Sequence, residues 1–60
     1  MVKFVELTLA ESKAPILFNL DYVVGVLKET NTTTIIMLEG QNQRTVSGSY
    51  EEVKKKLLSP

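Results

Sequence analysis

The fold of this 60-residue chain is decided by residues 22–47, which read YVVGVLKETNTTTIIMLEGQNQRTVS. Segments rich in Val, Ile and Thr flank a short polar break, and a third segment follows a turn that contains Gly40. This pattern is typical of antiparallel strands joined by tight connections. We therefore expect three successive strands, at about residues 22–29, 33–39 and 44–47.

The residues before this stretch predict two more strands. In residues 2–9 the two-residue period places Val5, Leu7 and Leu9 on one face of a first strand. Pro15 has no backbone N–H to donate to a sheet, so it indicates the start of a second strand at about 15–18.

Asn19 and Asp21 allow two interpretations. Their side chains are able to bond the nearby backbone, which predicts a turn or one loose helical turn between the second and third strands. The alternative is that they contact a polar ligand or partner. The residues themselves favour the turn.

The C-terminal residues predict a helix at about 50–58. Ser49 and Glu52 have the spacing of a capping box, in which each side chain bonds the backbone N–H of the other residue. Tyr50, Val53 and Leu57 form a stripe at helical spacing that would dock on the sheet. The expected architecture is mainly β, or α+β by a lenient count: a bent five-stranded antiparallel meander with one C-terminal helix, in a single small domain over residues 1–60.

Apolar residues occur on both faces of the third and fourth strands. Gly25 inside a strand suggests a bulge, a bend or a close backbone approach. Strict alternation would place Val23, Leu27, Ile35 and Met37 on one face and Val24, Val26, Ile36 and Leu38 on the other. One short helix covers about one face, so we expect the uncovered side chains to form an interface, with Phe4, Ile35 and Met37 as the interface candidates.

Composition argues against several kinds of chemistry. The chain has no Cys and no His, which excludes disulfides and the usual nucleophile–base pairs and argues against a zinc or haem site. The three glycines stand apart, so there is no glycine-rich phosphate loop. We expect no catalytic residues, no metal, no cofactor and no enzymatic activity. No apolar run approaches the ~18 residues of a membrane helix.

The chain has seven basic and seven acidic residues, which argues against a generally basic nucleic-acid surface. Lys54, Lys55 and Lys56 leave open a local basic patch for phosphate or acidic lipid. The simpler interpretation is a solvated helix end, where positive charge favours the helix dipole.

Size makes self-association the default expectation. A domain of 60 residues buries only about 60% of its unfolded surface and retains roughly 3–5 kcal/mol of stability. Because neither disulfide nor metal supports this core, we expect a homodimer or a higher closed oligomer.

The segments PILFNLDYVVGV, LEG and TVSGSYEEVKKKL resemble the small bacterial FlbD-like proteins of flagellar operons, relatives of which occur in bacterial and phage genomes. The resemblance extends over residues 4–58. It depends on one set of positions: Asn19, Asp21, Val24, Glu39, Gly40, Ser49, Glu51, Glu52 and Val53. It implies no catalytic residues. A looser likeness is to LytTR-type DNA-binding domains, which also combine several strands with a trailing helix.

Together these observations predict a non-catalytic, self-assembling interaction module that resembles FlbD-like proteins and works in the cytoplasm, with itself or another protein as partner. The alternative is a small nucleic-acid-binding regulator of bacterial or phage origin. A steep fall of nucleic-acid affinity with salt would favour that alternative.

Overall fold

The computed structural model describes residues 3–58. It is mainly β, with five strands, one 3₁₀ turn between the second and third strands, and one C-terminal helix, as the sequence predicts. In chain order the elements are β1 Phe4–Thr8, β2 Pro15–Asn19, a 3₁₀ turn Leu20–Tyr22, β3 Val23–Lys28, β4 Thr33–Leu38, β5 Asn42–Ser47 and α1 Tyr50–Leu58.

The strands form two antiparallel sheets instead of one continuous meander. One sheet contains β1 and β2, and the other has the order β3-β4-β5. The 3₁₀ turn redirects the chain between β2 and β3, so these consecutive strands do not pair. The sheets join through a bridge between Leu9 and Val46 and a hydrogen bond of 3.0 Å from the Ala10 N–H to the Thr45 carbonyl.

Element bounds differ from the expected ones by one or two residues, for local reasons. Tyr22 belongs to the 3₁₀ turn and not to β3. The strand β5 begins at Asn42 because Gly40 and Gln41, with φ of 80° and 64°, close a tighter turn than expected. Residue 2, which was expected to begin the first strand, lies outside the described residues.

The core lies between the two sheets and the helix. Its buried apolar side chains are Val5, Leu7, Phe18, Ile36, Val46 and Val53. Leu20, in the 3₁₀ turn, packs against this cluster, and Thr34 is the buried polar residue beside it. The helix contributes Val53 to the core, and it therefore packs against strands of both sheets.

The strictly alternating face assignment for β3 is wrong. The pairing shifts between Val23 and Gly25, so β3 has one residue more than β4 at this point. Val23 therefore lies opposite Leu38 and shares the core face with Val26, while Val24 is 66% exposed. The bulge that Gly25 suggested is present, and it exchanges the expected faces of Val23 and Val24.

Candidate interaction surface

The outer face of the β3-β4-β5 sheet exposes a cluster of apolar side chains. Val24 is 66% exposed, Leu27 53% and Met37 40%, and Ile35 is half-buried among them. We call these four residues the outer patch. Strand pairing places Leu27 opposite Ile35 and Met37 opposite Gly25, so the members are direct neighbours.

The outer patch has a polar border. On β5, Thr45 lies opposite Ile35 and Gln43 lies opposite Met37. Val24, Met37 and Gln43 line a shallow groove of about 440 Å³ at this end of the sheet. An apolar centre with a polar rim is the usual anatomy of a protein–protein contact.

The interface candidates do not all meet. Ile35 and Met37 belong to the outer patch, whereas Phe4 lies in the other sheet, opposite Asn19. Phe4 and Leu17 are exposed there on β1 and β2. The alternation of β3 predicted Leu27 beside Ile35 and Met37, but it missed Val24, because a bulge of one residue cannot be placed from residue types alone.

The helix start contains both hydrogen bonds of the capping box. The Glu52 N–H donates to Ser49 Oγ at 3.2 Å, and the Ser49 N–H donates to Glu52 Oε1 at 3.1 Å. The Ser49 hydroxyl also lies 3.1 Å from Glu52 Oε1. The bonds from the Ser49 backbone and hydroxyl, with a smaller effect of Lys56, lower the pKa of Glu52. Ser49 and Glu52 stabilise the start of the helix, and their side chains bond each other and the backbone instead of forming a binding site.

The three lysines of the candidate basic patch are exposed on the helix but diverge. Neighbouring helical residues are rotated by about 100° from each other, so Lys54, Lys55 and Lys56 do not share one face. The Lys54 ammonium lies 5.9 Å from the centre of the Tyr50 ring, within cation–π range. The arrangement is that of a solvated helix more than of a phosphate cradle.

Asn19 begins the 3₁₀ turn. Its side-chain Oδ1 accepts a hydrogen bond of 2.9 Å from the Asp21 N–H. This is the local backbone bond that the turn interpretation requires, and it occupies that Asn19 oxygen.

Gly48 is a structural residue that the sequence did not reveal. Its φ is 120°, its N–H donates to the Thr32 carbonyl at 2.7 Å, and its carbonyl accepts from the buried Thr34 hydroxyl at 3.0 Å. Through these two hydrogen bonds, Gly48 links the junction between β5 and α1 to the β3–β4 hairpin. An isolated Gly before a capping Ser was the available signal.

A second groove, of about 860 Å³, lies between the β1–β2 turn and β5, where Glu11, Ser12, Glu29 and Arg44 are among the lining residues. The Arg44 guanidinium donates to the neighbouring Gln43 carbonyl at 2.8 Å. Nothing in this groove pairs a nucleophile with a base.

Residues 3–58 contain no group of three or more Asp and Glu side chains placed to hold a metal ion. Within the same residues no helix has the length and apolar character needed to cross a membrane. No family model, curated protein or solved structure matches this chain.

Proposed function

We propose that this protein, which resembles FlbD-like proteins, is a non-catalytic interaction module that associates with a second copy of itself through the outer patch. The proposal rests on one observation: Val24, Leu27 and Met37 are exposed to solvent and lie close together on the paired strands β3 and β4. We propose the cytoplasm as the compartment in which it acts.

The physical reason is the size of the chain. A small core leaves only roughly 3–5 kcal/mol of stability, so covering exposed apolar surface is a large relative gain. Burying apolar side chains contributes about 25 cal/mol per Å² of area removed from water. The same side chains left in water on strands of high β propensity would favour aggregation, which a closed symmetric contact prevents.

Nucleic-acid binding has less support. The basic and acidic residues balance, and the three helix lysines point in different directions. The outer patch itself carries no charged side chain, whereas phosphate binding needs clustered Lys or Arg.

Paired lysine substitutions test the proposal. Leu27→Lys places a charge on the β3 side of the outer patch, and Leu17→Lys makes the same change at a comparably exposed position of the other sheet. We expect Leu27→Lys to weaken self-association at least tenfold and Leu17→Lys to leave it near that of the parent chain, as measured by sedimentation. If both substitutions weakened self-association equally, or if neither weakened it, a contact through the outer patch would be contradicted. Circular dichroism checks that both variants remain folded.

A further inference from the structure

The strand β3 is an open edge of its sheet. It pairs with β4 on one side, and on its other side no strand of the described chain pairs with it. The Glu29 N–H donates to the Thr33 carbonyl at 3.2 Å, which identifies Glu29 and Thr33 as a hydrogen-bonded pair. Since antiparallel pairs alternate, Leu27 also bonds to β4, while the N–H and C=O of Val26 and Lys28 point away from the sheet.

Apolar side chains flank this edge on both sides. On the outer side lie Val24, Leu27 and Met37. On the helix side, Val26 lines a groove of about 260 Å³ with Tyr50, Lys54, Leu57 and Leu58, and Leu58 is 73% exposed. Exposed apolar surface therefore continues around the edge from one face to the other.

The area that a stable dimer needs also favours the edge. A three-stranded sheet with strands of six residues has a face roughly 20 Å long and 14 Å wide, or about 300 Å² in projection. A standard interface buries about 800 Å² per partner. The outer patch alone falls short of this area, and a contact that continues from it around the β3 edge adds the apolar side chains on the helix side.

The other edges are less suited to pairing. The edges of β1 and β5 approach each other at the bridge between Leu9 and Val46. The strand β2 begins with Pro15, which has no N–H to offer. Strand β3 contains no proline and has a single charged residue, Lys28, at its end. Lys28 and the bulge are features that limit edge pairing, and both lie toward the ends of β3, so the edge available for regular pairing is the part that follows Gly25.

We propose that two copies of this chain pair through their β3 edges, antiparallel about a twofold axis, to make one continuous six-stranded sheet. This inference rests on the proposed self-association and specifies its geometry. Twofold pairing uses the β3 edge of both copies at once, so the assembly closes at two. On the outer face, Val24 and Leu27 of one copy then lie beside those of the other copy, so the two outer patches meet across the axis at their β3 side.

Amide hydrogen exchange followed by NMR tests the geometry within the parent chain. On raising the concentration from the monomeric to the associated range, we expect exchange at Val26 and Lys28 to slow at least tenfold. The Leu27 N–H, bonded within the chain, reports how much association slows exchange through general stabilisation of the fold, and exchange at Val26 and Lys28 should slow by more than this.

In the other sheet, the Leu20 N–H donates to the Lys3 carbonyl at 3.0 Å, so these two residues are a hydrogen-bonded pair. By the same alternation, the Leu17 N–H points away from β1, at the open edge of β2. We expect its exchange rate not to change with concentration.

Two proline variants give an independent test. Val26→Pro removes an N–H that has no partner within the chain, and Leu17→Pro does the same on β2. We expect Val26→Pro to be monomeric and Leu17→Pro to associate like the parent chain. If the parent chain associates while Val26 and Lys28 still exchange fast, edge pairing is overturned but self-association stands. If the parent chain does not associate at all, both proposals fail.

Discussion

Gly48 shows how one residue controls the junction between sheet and helix. Its φ of 120° lies in a region that residues with a side chain rarely adopt. We expect Gly48→Ala to destabilise the chain by roughly 1–3 kcal/mol, as measured by urea unfolding. Gly25→Ala is the matched control, because Gly25 has no positive φ and an added Cβ would lie at an ordinary 3.5 Å from Met37 Sδ. Equal effects at the two positions would mean that backbone strain is not the reason.

Ser49 makes the next local contribution. Its hydroxyl accepts the Glu52 N–H, so Ser49→Ala should cost about 1 kcal/mol of unfolding free energy. Ser49→Asp keeps an acceptor at the cap and should retain most of the stability. An unchanged urea midpoint and slope in Ser49→Ala would reject a stabilising role for the cap.

The lowered pKa of Glu52 gives the cap a pH dependence. A carboxyl whose pKa is lower in the folded than in the unfolded chain stabilises the fold above its ordinary pKa, and this stabilisation is lost as the pH falls through the folded pKa. We therefore expect Glu52→Gln to flatten the fall of urea midpoint between neutral pH and pH about 3. Glu51→Gln, at the exposed neighbouring position, should leave that fall unchanged. A steep fall retained in Glu52→Gln would show that other carboxyls account for it.

Among the elements, the helix depends on its docking. A helix of nine residues is marginal by itself in water, and α1 places Val53 in the core with half-buried Tyr50 and Leu57 beside it. We expect Val53→Ala to cost roughly 2 kcal/mol and Leu57→Ala roughly 2 kcal/mol, at the low end of buried leucines because Leu57 is only half-buried. Leu58→Ala, at an exposed position, should change the unfolding of the monomer little. If Leu57→Ala melted like Leu58→Ala, the helix would not be docked by this stripe.

The sequence predicted the elements well where a local rule governs them. Val5 and Leu7 alternate inward in β1, and the spacing of Ser49 and Glu52 defined the helix start. The partition into two sheets was missed because a turn between β2 and β3 can be predicted from Asn19 and Asp21, but whether the strands on either side of it pair has no local signal. The faces of Val23 and Val24 were missed because a bulge moves side chains by a single residue.

For the surface, residue type predicted Ile35 and Met37 correctly as neighbours on one face but could not say which apolar face the helix covers. The structure answers this through Ile36, which is fully buried, and Met37, which is exposed. Phe4 is exposed as well, but in the other sheet. Exposure of a strand residue is a property of the assembled fold, so it does not follow from the strand's own sequence.

The proposed self-association would link assembly to stability. A dimer formed from the folded chain stabilises folding by mass action, so the proposal predicts a melting temperature that rises with concentration. We expect calorimetry or circular dichroism to show this rise for the parent chain and to show little of it for Leu27→Lys. A melting temperature independent of concentration in the parent chain would contradict coupled folding and association.

Sedimentation equilibrium of the unmodified chain over a range of concentrations tests self-association most directly, since it measures mass without a label or a substitution. The proposal predicts a species of twice the 6.7 kDa chain mass at micromolar concentration, with no larger species as the concentration increases. A uniform species of 6.7 kDa at hundreds of micromolar would contradict it and would leave the outer patch as the surface of a monomer.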